Sequence, residues 1–181
     1  MDLPERVLAA PVALRHFAPS DAPRVRLLAD DWDVAKTTTA LPHPYLDGMA
    51  EAWIGGHEAA RARAEEFAYA ITRANDGALV GALGVRPNAN EHGHFGYWVG
   101  KAHWGHGYAT AATRTAIALL FARTDLDAVW AVHLADNAGS ARVMDKCGMS
   151  ALRHETRSHR GEPRGFLVRG ITREAWEAQR G

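Results

Sequence analysis

The stretch His103-Trp104-Gly105-His106-Gly107-Tyr108-Ala109-Thr110 decides how this chain is read. Glycines at alternate positions let the backbone turn successive N–H groups toward one point and let a bulky anion come close. The following segment, Tyr108 to Arg123, is rich in Ala and Leu, with Ala109, Ala112, Ala116, Leu119 and Leu120 at helical spacing. A long helix therefore opens at the second glycine. Its unpaired first N–H groups and partial positive charge make the junction a candidate phosphate site. The spacing matches neither common nucleotide fingerprint: no Lys follows as in a P-loop, and Thr110 stands where a Rossmann loop needs a third small residue. Taken alone, the glycine pair favours a plain tight turn.

Working outward, His94 to Val99 reads as a strand before the loop and Ala128 to Leu134 as a strand after the helix. Residues 94–134 then form a parallel strand-helix-strand unit with a right-handed crossover. Upstream, Phe67, Tyr69 and Ile71 alternate, and Asn75-Asp76-Gly77 turns the chain into Leu79 to Val85, which is a hairpin signature. Pro87 to Glu91 reads as a polar loop. The chain opens with a strand from Pro11 to Phe17, and Ala18-Pro19-Ser20-Asp21 starts a helix that continues through Arg24 to Asp31. Pro42 and Pro44 exclude a helix over 40–45. Asp47 caps a helical stretch through Met49, Trp53 and Ile54, interrupted at Gly55-Gly56 before the run to Glu66. Downstream, Asn137 to Lys146 is a short helix ending at Gly148. Ala151 to Thr156 and Phe166 to Ile171 form a closing antiparallel pair. The order predicts one α+β (mixed α/β) domain over 1–181, with a central, mostly antiparallel sheet of about seven strands, one parallel pair and flanking helices.

Composition narrows the function classes. With 21 Lys+Arg against 21 Asp+Glu and 47% hydrophobic residues, the 181-residue chain has the balance of a soluble globular domain. It lacks the positive field that holds nucleic acid without sequence preference, so no nucleic-acid partner is expected. Met1 to Ala13 has no basic segment followed by an apolar one, and no apolar run reaches membrane-spanning length, so a cytoplasmic protein with no membrane partner is expected. Cys147 is the only cysteine, which excludes an internal disulfide, and its place at the end of an apolar helix favours a buried structural thiol. His92/His94 and His103/His106 have no third ligand at metal spacing, so no metal is expected. Arg157, His159, Arg160 and Arg164 read as a solvated face.

The glycine loop has companions: Gly96-Tyr97-Trp98-Val99-Gly100 precedes it, and Ala135-Asp136-Asn137-Ala138-Gly139-Ser140-Ala141-Arg142-Val143-Met144-Asp145-Lys146-Cys147-Gly148-Met149 follows one crossover later. In this order and spacing the chain resembles the Gcn5-related N-acetyltransferase (GNAT) superfamily, and the branch that looks like the ribosomal-protein alanine N-acetyltransferases RimJ and RimL. The likeness runs from Leu14-Arg15-His16-Phe17 through Pro44-Tyr45 and Ala50-Glu51-Ala52-Trp53-Ile54 to Ile171-Thr172-Arg173-Glu174-Ala175-Trp176. It implies a parallel strand pair that splays apart after Trp98-Val99-Gly100, with acetyl-coenzyme A (acetyl-CoA) in the opening. Trp98, Val99, Gly105, His106, Gly107, Tyr108, Ala109 and Thr110 would bind this cosubstrate. Asn137 matches the position that hydrogen-bonds the pantetheine arm, and Ser140 the one near the thioester sulfur.

The implied activity is transfer of an acetyl group to a primary amine, whether a peptide N-terminus, an amino acid or a small amine, by direct attack in a ternary complex. The resemblance is also compatible with a homodimer. Such chemistry needs a neutral nucleophile, an oxyanion donor and a proton for the departing thiolate. By analogy the Val99 N–H is the oxyanion donor. His94 stands where many relatives carry an acidic residue, and alternation puts it on the side of Gly96 and Trp98; it is the candidate base, the alternative being a surface histidine beside His92 and Glu91. Some relatives use a tyrosine as acid seven residues after the asparagine. Met144 holds that position here, leaving Ser140 as the nearest hydroxyl, whose other role is that of a first-turn helix residue. These departures keep open a second reading, a catalytically idle acyl-CoA binding or sensing domain.

Overall fold

Alternating apolar residues in the middle of the chain build a sheet buried on both faces, and this sheet positions everything else. The computed structural model describes residues 3–89 and 92–179. Among them are eight strands: β1 (Arg6–Ala9), β2 (Val12–His16), β3 (Phe67–Arg73), β4 (Leu79–Ala89), β5 (His92–Val99), β6 (Ala128–Leu134), β7 (Ser150–His159) and β8 (Glu162–Thr172). They form one sheet in the order β1-β2-β3-β4-β5-β6-β8-β7. The β5–β6 pair alone is parallel, and the connection between the two is the long helix α5 (Tyr108–Arg123, numbered in chain order) that the Ala/Leu spacing predicts.

The other helices are α1 (Ala22–Ala29), α2 (Trp32–Ala35), α3 (Met49–Gly55), α4 (His57–Ala62), α6 (Ala138–Lys146) and α7 (Arg173–Ala178). Two apolar layers result. On one face Phe95, Val99, Leu83 and Val129 pack with Ala112, Ala116, Ile117 and Leu120 of α5. On the other, Trp98, Ala82 and Ala70 pack with Val25 and Leu28 of α1 and Ile54 of α3. Successive β5 residues therefore serve opposite layers, as the two-residue period of a strand requires.

Several elements differ from the sequence-based expectation. The sheet has eight strands rather than about seven, because Arg6–Ala9 adds an edge strand against β2. With Leu8 74% exposed, β1 carries little apolar alternation to announce it. The strand β4 runs on through Pro87 to Ala89, replacing most of the expected loop; Asn90 and Glu91 lie outside the described residues. The β7–β8 hairpin is longer than expected, reaching His159 and Glu162 around a turn at Arg160-Gly161. Asp47 does not cap α3. Gly48, at φ 82°, holds the cap position, and the Asp47 carboxylate pairs with Arg26. Asp21 bonds the Ala18 N–H at 2.8 Å and Arg15 at 2.7 Å, closing a 3-10 turn (Pro19–Asp21) ahead of α1. Among the described residues no helix is long and apolar enough to cross a membrane.

Candidate functional site

The parallel pair is short. β5 and β6 share two registered pairs, Gly93 with Val129 and His94 with Trp130, and beyond them the strands part. On its other side β5 stays paired with β4 to Val99, and the Gly100 N–H bonds the Val80 carbonyl at 2.9 Å. Antiparallel bonding alternates along a strand, so the backbone groups of Tyr97 and Val99 point the opposite way, toward the gap left by β6. That free edge walls a cleft of about 440 Å³.

The far wall is α6, with Asn137, Gly139, Ser140, Arg142, Val143 and Lys146; the near end is the start of α5 with Gly105, Gly107, Tyr108, Ala109 and Thr110. Over both lies the α2 segment, with Asp33, Val34, Lys36, Thr37 and Thr38. At the mouth Gly105 and Gly107 sit at φ 81° and 78°, a left-handed backbone that only glycine adopts cheaply. A Cβ at either would meet nothing within 4 Å, so the loop leaves room above itself. Gly107 is the N-cap of α5 and no side chain caps this helix, leaving its first-turn N–H groups for a ligand.

Of the residues expected to hold the cosubstrate, Trp98, Val99, Gly105, Gly107, Tyr108, Ala109, Thr110, Asn137 and Ser140 all line the cleft. His106 does not: its Nδ1 lies 2.9 Å from the Trp104 carbonyl oxygen and its ring stacks on Tyr108 at 5.5 Å. His94 is also outside, on the face of β5 opposite Tyr97, as alternation requires. It is half-buried rather than a surface residue. Desolvation, helped by the Arg86 and Arg157 charges and opposed by Glu66, pushes its pKa down to about 4. Beside it, above Gly96, a Cβ would meet nothing within 4 Å, so the sheet is open there.

Three features escape a sequence reading. Trp104 reaches back so that its indole N–H donates to the Val99 carbonyl at 2.7 Å, occupying one of the two edge groups of that residue. The Tyr97 hydroxyl donates to Ser140 Oγ at 3.3 Å, and burial pushes this phenol up to about 12. Asn137 caps α6 by accepting the Ser140 N–H at 3.0 Å while its amide nitrogen donates to Ser140 Oγ at 3.2 Å and to the Thr37 carbonyl at 3.4 Å. Alternation on β5 is the signal that would have found Tyr97, since it shares the face of Val99. Nothing local announces the α2 segment.

Cys147 and the 157–164 run, also singled out from the sequence, do not line the cleft. Cys147 is buried, its thiol pushed up to about 11 by desolvation and 3.7 Å from the Thr110 carbonyl oxygen. Among the described residues no three His, Cys, Asp or Glu side chains group as a metal site would. The 157–164 run is not one solvated face. Arg160 donates to the Ala35 and Leu41 carbonyls at 2.8 and 2.7 Å and covers the Trp32 ring, and His159 is buried against Phe166. Arg157 pairs with Glu155, and Arg164 with Asp136.

Comparison with known proteins agrees with this fold. The family described as acetyltransferase (GNAT) domain matches residues 12–150. Among solved structures, RimJ of Mycobacterium smegmatis in complex with CoA-disulfide is 24% identical with a TM-score of 0.79, covering 95% of this chain and 87% of that one. A GNAT-family acetyltransferase from Bacillus anthracis is 20% identical with a TM-score of 0.81, covering 93% and 99%. The ribosomal-protein-S5-alanine acetyltransferase from Vibrio fischeri is 15% identical with a TM-score of 0.79, covering 94% and 98%. No curated protein matches the chain.

Proposed function

Because this chain belongs to the GNAT acetyltransferase family, we propose that it moves the acetyl group of acetyl-CoA onto a primary amine, a peptide N-terminus, an amino acid or a small amine, in a ternary complex. The observation that carries this reading is the free β5 edge, ending in two left-handed glycines at an uncapped helix start. An edge of this kind pairs with an extended amide-bearing arm as it would with an added strand. The helix start suits the diphosphate at the end of that arm, and Gly105 and Gly107 keep side chains out of its way.

The residues then divide the work. The Val99 N–H, aimed into the cleft by a rigid strand, would donate to the oxygen on which charge develops as the amine attacks. Trp104 keeps the Val99 carbonyl engaged, so the same residue presents a donor and not a competing acceptor. Ser140 offers a hydroxyl to the departing sulfur. The amine approaches from the opposite face of β5, over the open space at Gly96. There His94, neutral at pH 7, accepts a hydrogen bond from the amine and orients it. With its pKa near 4 it holds a proton poorly, but an α-amino group with a pKa of about 8 already supplies some free amine at neutral pH.

The test is turnover. Acetyl-CoA is mixed with the protein and a panel of amines that includes free amino acids, polyamines and short peptides beginning with Ala or Ser, and thiol release is followed with acetylated product identified by mass. The Vibrio fischeri relative's description makes an alanine-initiated peptide the first acceptor to try. Amine-dependent thiol release is the expected result. Tight donor binding with no turnover across the panel would favour an idle acyl-CoA sensor.

A further inference from the structure

We propose that Tyr97 is a positioning residue that, together with Asn137, fixes the Ser140 hydroxyl so that its own hydrogen points into the cleft toward the donor sulfur. The inference rests on the acetyl-transfer reading for its chemical consequence, but its geometry stands on four hydrogen bonds. The Ser140 N–H donates to Asn137 Oδ1 at 3.0 Å, which commits the amide oxygen to the helix start and settles which way the amide faces. The amide nitrogen is thereby turned to the other side, where it donates to the Thr37 carbonyl at 3.4 Å and to Ser140 Oγ at 3.2 Å. From across the cleft the Tyr97 hydroxyl donates to the same Oγ at 3.3 Å.

A serine hydroxyl has two acceptor sites and one hydrogen. Both acceptor sites of Ser140 are taken, one by a side-chain amide and one by a phenol. Only its hydrogen remains, and tetrahedral geometry at oxygen directs it away from both donors. Tyr97 and Ser140 face each other across the same cleft, which is the space left for that hydrogen. The phenol is buried and stays protonated across the physiological range, so its donated hydrogen is always present. It also needs no charged state of its own, which suits a residue that holds a donor in place without taking part in proton exchange.

The consequence for transfer is a balanced step. The C–N bond forms and the C–S bond breaks, leaving its electron pair on sulfur. Sulfur takes the Ser140 hydrogen, and the hydrogen that the amine nitrogen must shed replaces it through water. The Tyr97 and Asn137 hydrogen bonds stabilise the serine oxygen while it is short of a hydrogen.

The experiment compares the affinity of CoA with that of desulfo-CoA, which lacks the sulfur, by calorimetry. The proteins are the wild-type chain, Tyr97→Phe, Ser140→Ala and the double variant. One well-made hydrogen bond corresponds to about a fivefold preference for CoA in the wild type. Tyr97→Phe removes one oxygen and leaves the ring in place. It should abolish most of the preference without changing desulfo-CoA affinity, and the double variant should lose no more than Ser140→Ala alone. An unchanged preference in Tyr97→Phe, or equal weakening of both ligands, overturns the proposal. Because the readout is binding, it is separate from the amine panel: a silent panel with a Tyr97-dependent preference sinks the transfer reading and spares the hydroxyl geometry. An active panel with no such dependence does the reverse. With an active acceptor, Tyr97→Phe should lower kcat about tenfold with little change in KM for acetyl-CoA.

Discussion

At the scale of single residues, Asn137 carries two separable jobs. Its oxygen caps α6 through the Ser140 N–H, and its nitrogen ties α6 to the Thr37 carbonyl above the cleft. Asn137→Asp keeps the accepting oxygen and loses the donors, so thermal unfolding should change little while CoA affinity falls. Asn137→Ala loses both and should cost about 1 kcal/mol of stability in addition. His94 makes a prediction in pH. Its folded pKa of about 4 lies below the ordinary 6.5, so the fold keeps it neutral while the unfolded chain takes up a proton. Stability from this group is complete above pH 6.5 and is lost as pH falls toward 4, reaching ~3 kcal/mol. Urea titrations of His94→Gln should therefore show a shallower loss of stability over that window than the wild type. Parallel curves would mean that the group is solvated after all.

At the scale of elements, the strand-loop-helix unit from β5 through α5 was legible because each part is written locally: alternation, two glycines, then an Ala/Leu period. The conformational demand is equally local. Gly107→Ala should destabilise by about 1–2 kcal/mol, since φ is 78° and no neighbouring atom obstructs a methyl group. Gly107→Asn tolerates that backbone better and should recover most of the stability. It nevertheless places a side chain where the donor diphosphate is proposed to lie, so calorimetric affinity for CoA should drop by about tenfold or more. A variant that restored both stability and affinity would move the phosphates elsewhere. What the sequence conceals at this scale is whatever depends on a partner distant along the chain. Tyr97 becomes a site residue only because α6 brings Ser140 opposite it. The α2 segment is tied down as a roof by residues far along the chain: Asn137, a hundred positions later, reaches Thr37, and Lys101 pairs with Asp33. Edge strand β1 and the far part of the β7–β8 hairpin were missed for a related reason: their residues are largely exposed, so hydrophobic periodicity does not mark them.

At the scale of the whole molecule, the roof is held from two directions. Asn137 grips it from α6, and Arg160, at the tip of the β7–β8 hairpin, bonds the Ala35 and Leu41 carbonyls on its other flank. Arg160→Ala should speed amide hydrogen exchange over residues 35–41 while costing only about 1 kcal/mol in global stability, because the side chain is exposed. Unchanged exchange there would mean that the hairpin tip does not restrain this segment. The expected family fold, with its single parallel pair, was readable from motif order. The acceptor was not, because the surfaces around Gly96, the α2 segment and the hairpin tip are assembled from three distant stretches of chain.

The brevity of the β5–β6 junction has a mechanical meaning. Five strands on one side and three on the other are zipped together by two rungs, so the sheet has a built-in seam with a crossover helix behind it. A molecule lying in the gap and bonding to the β5 edge would act as a ninth, removable strand, stitching the seam for as long as it stays. Occupancy should then stiffen both halves at once, and release should return the protein to a state whose weakest line runs along its own cleft.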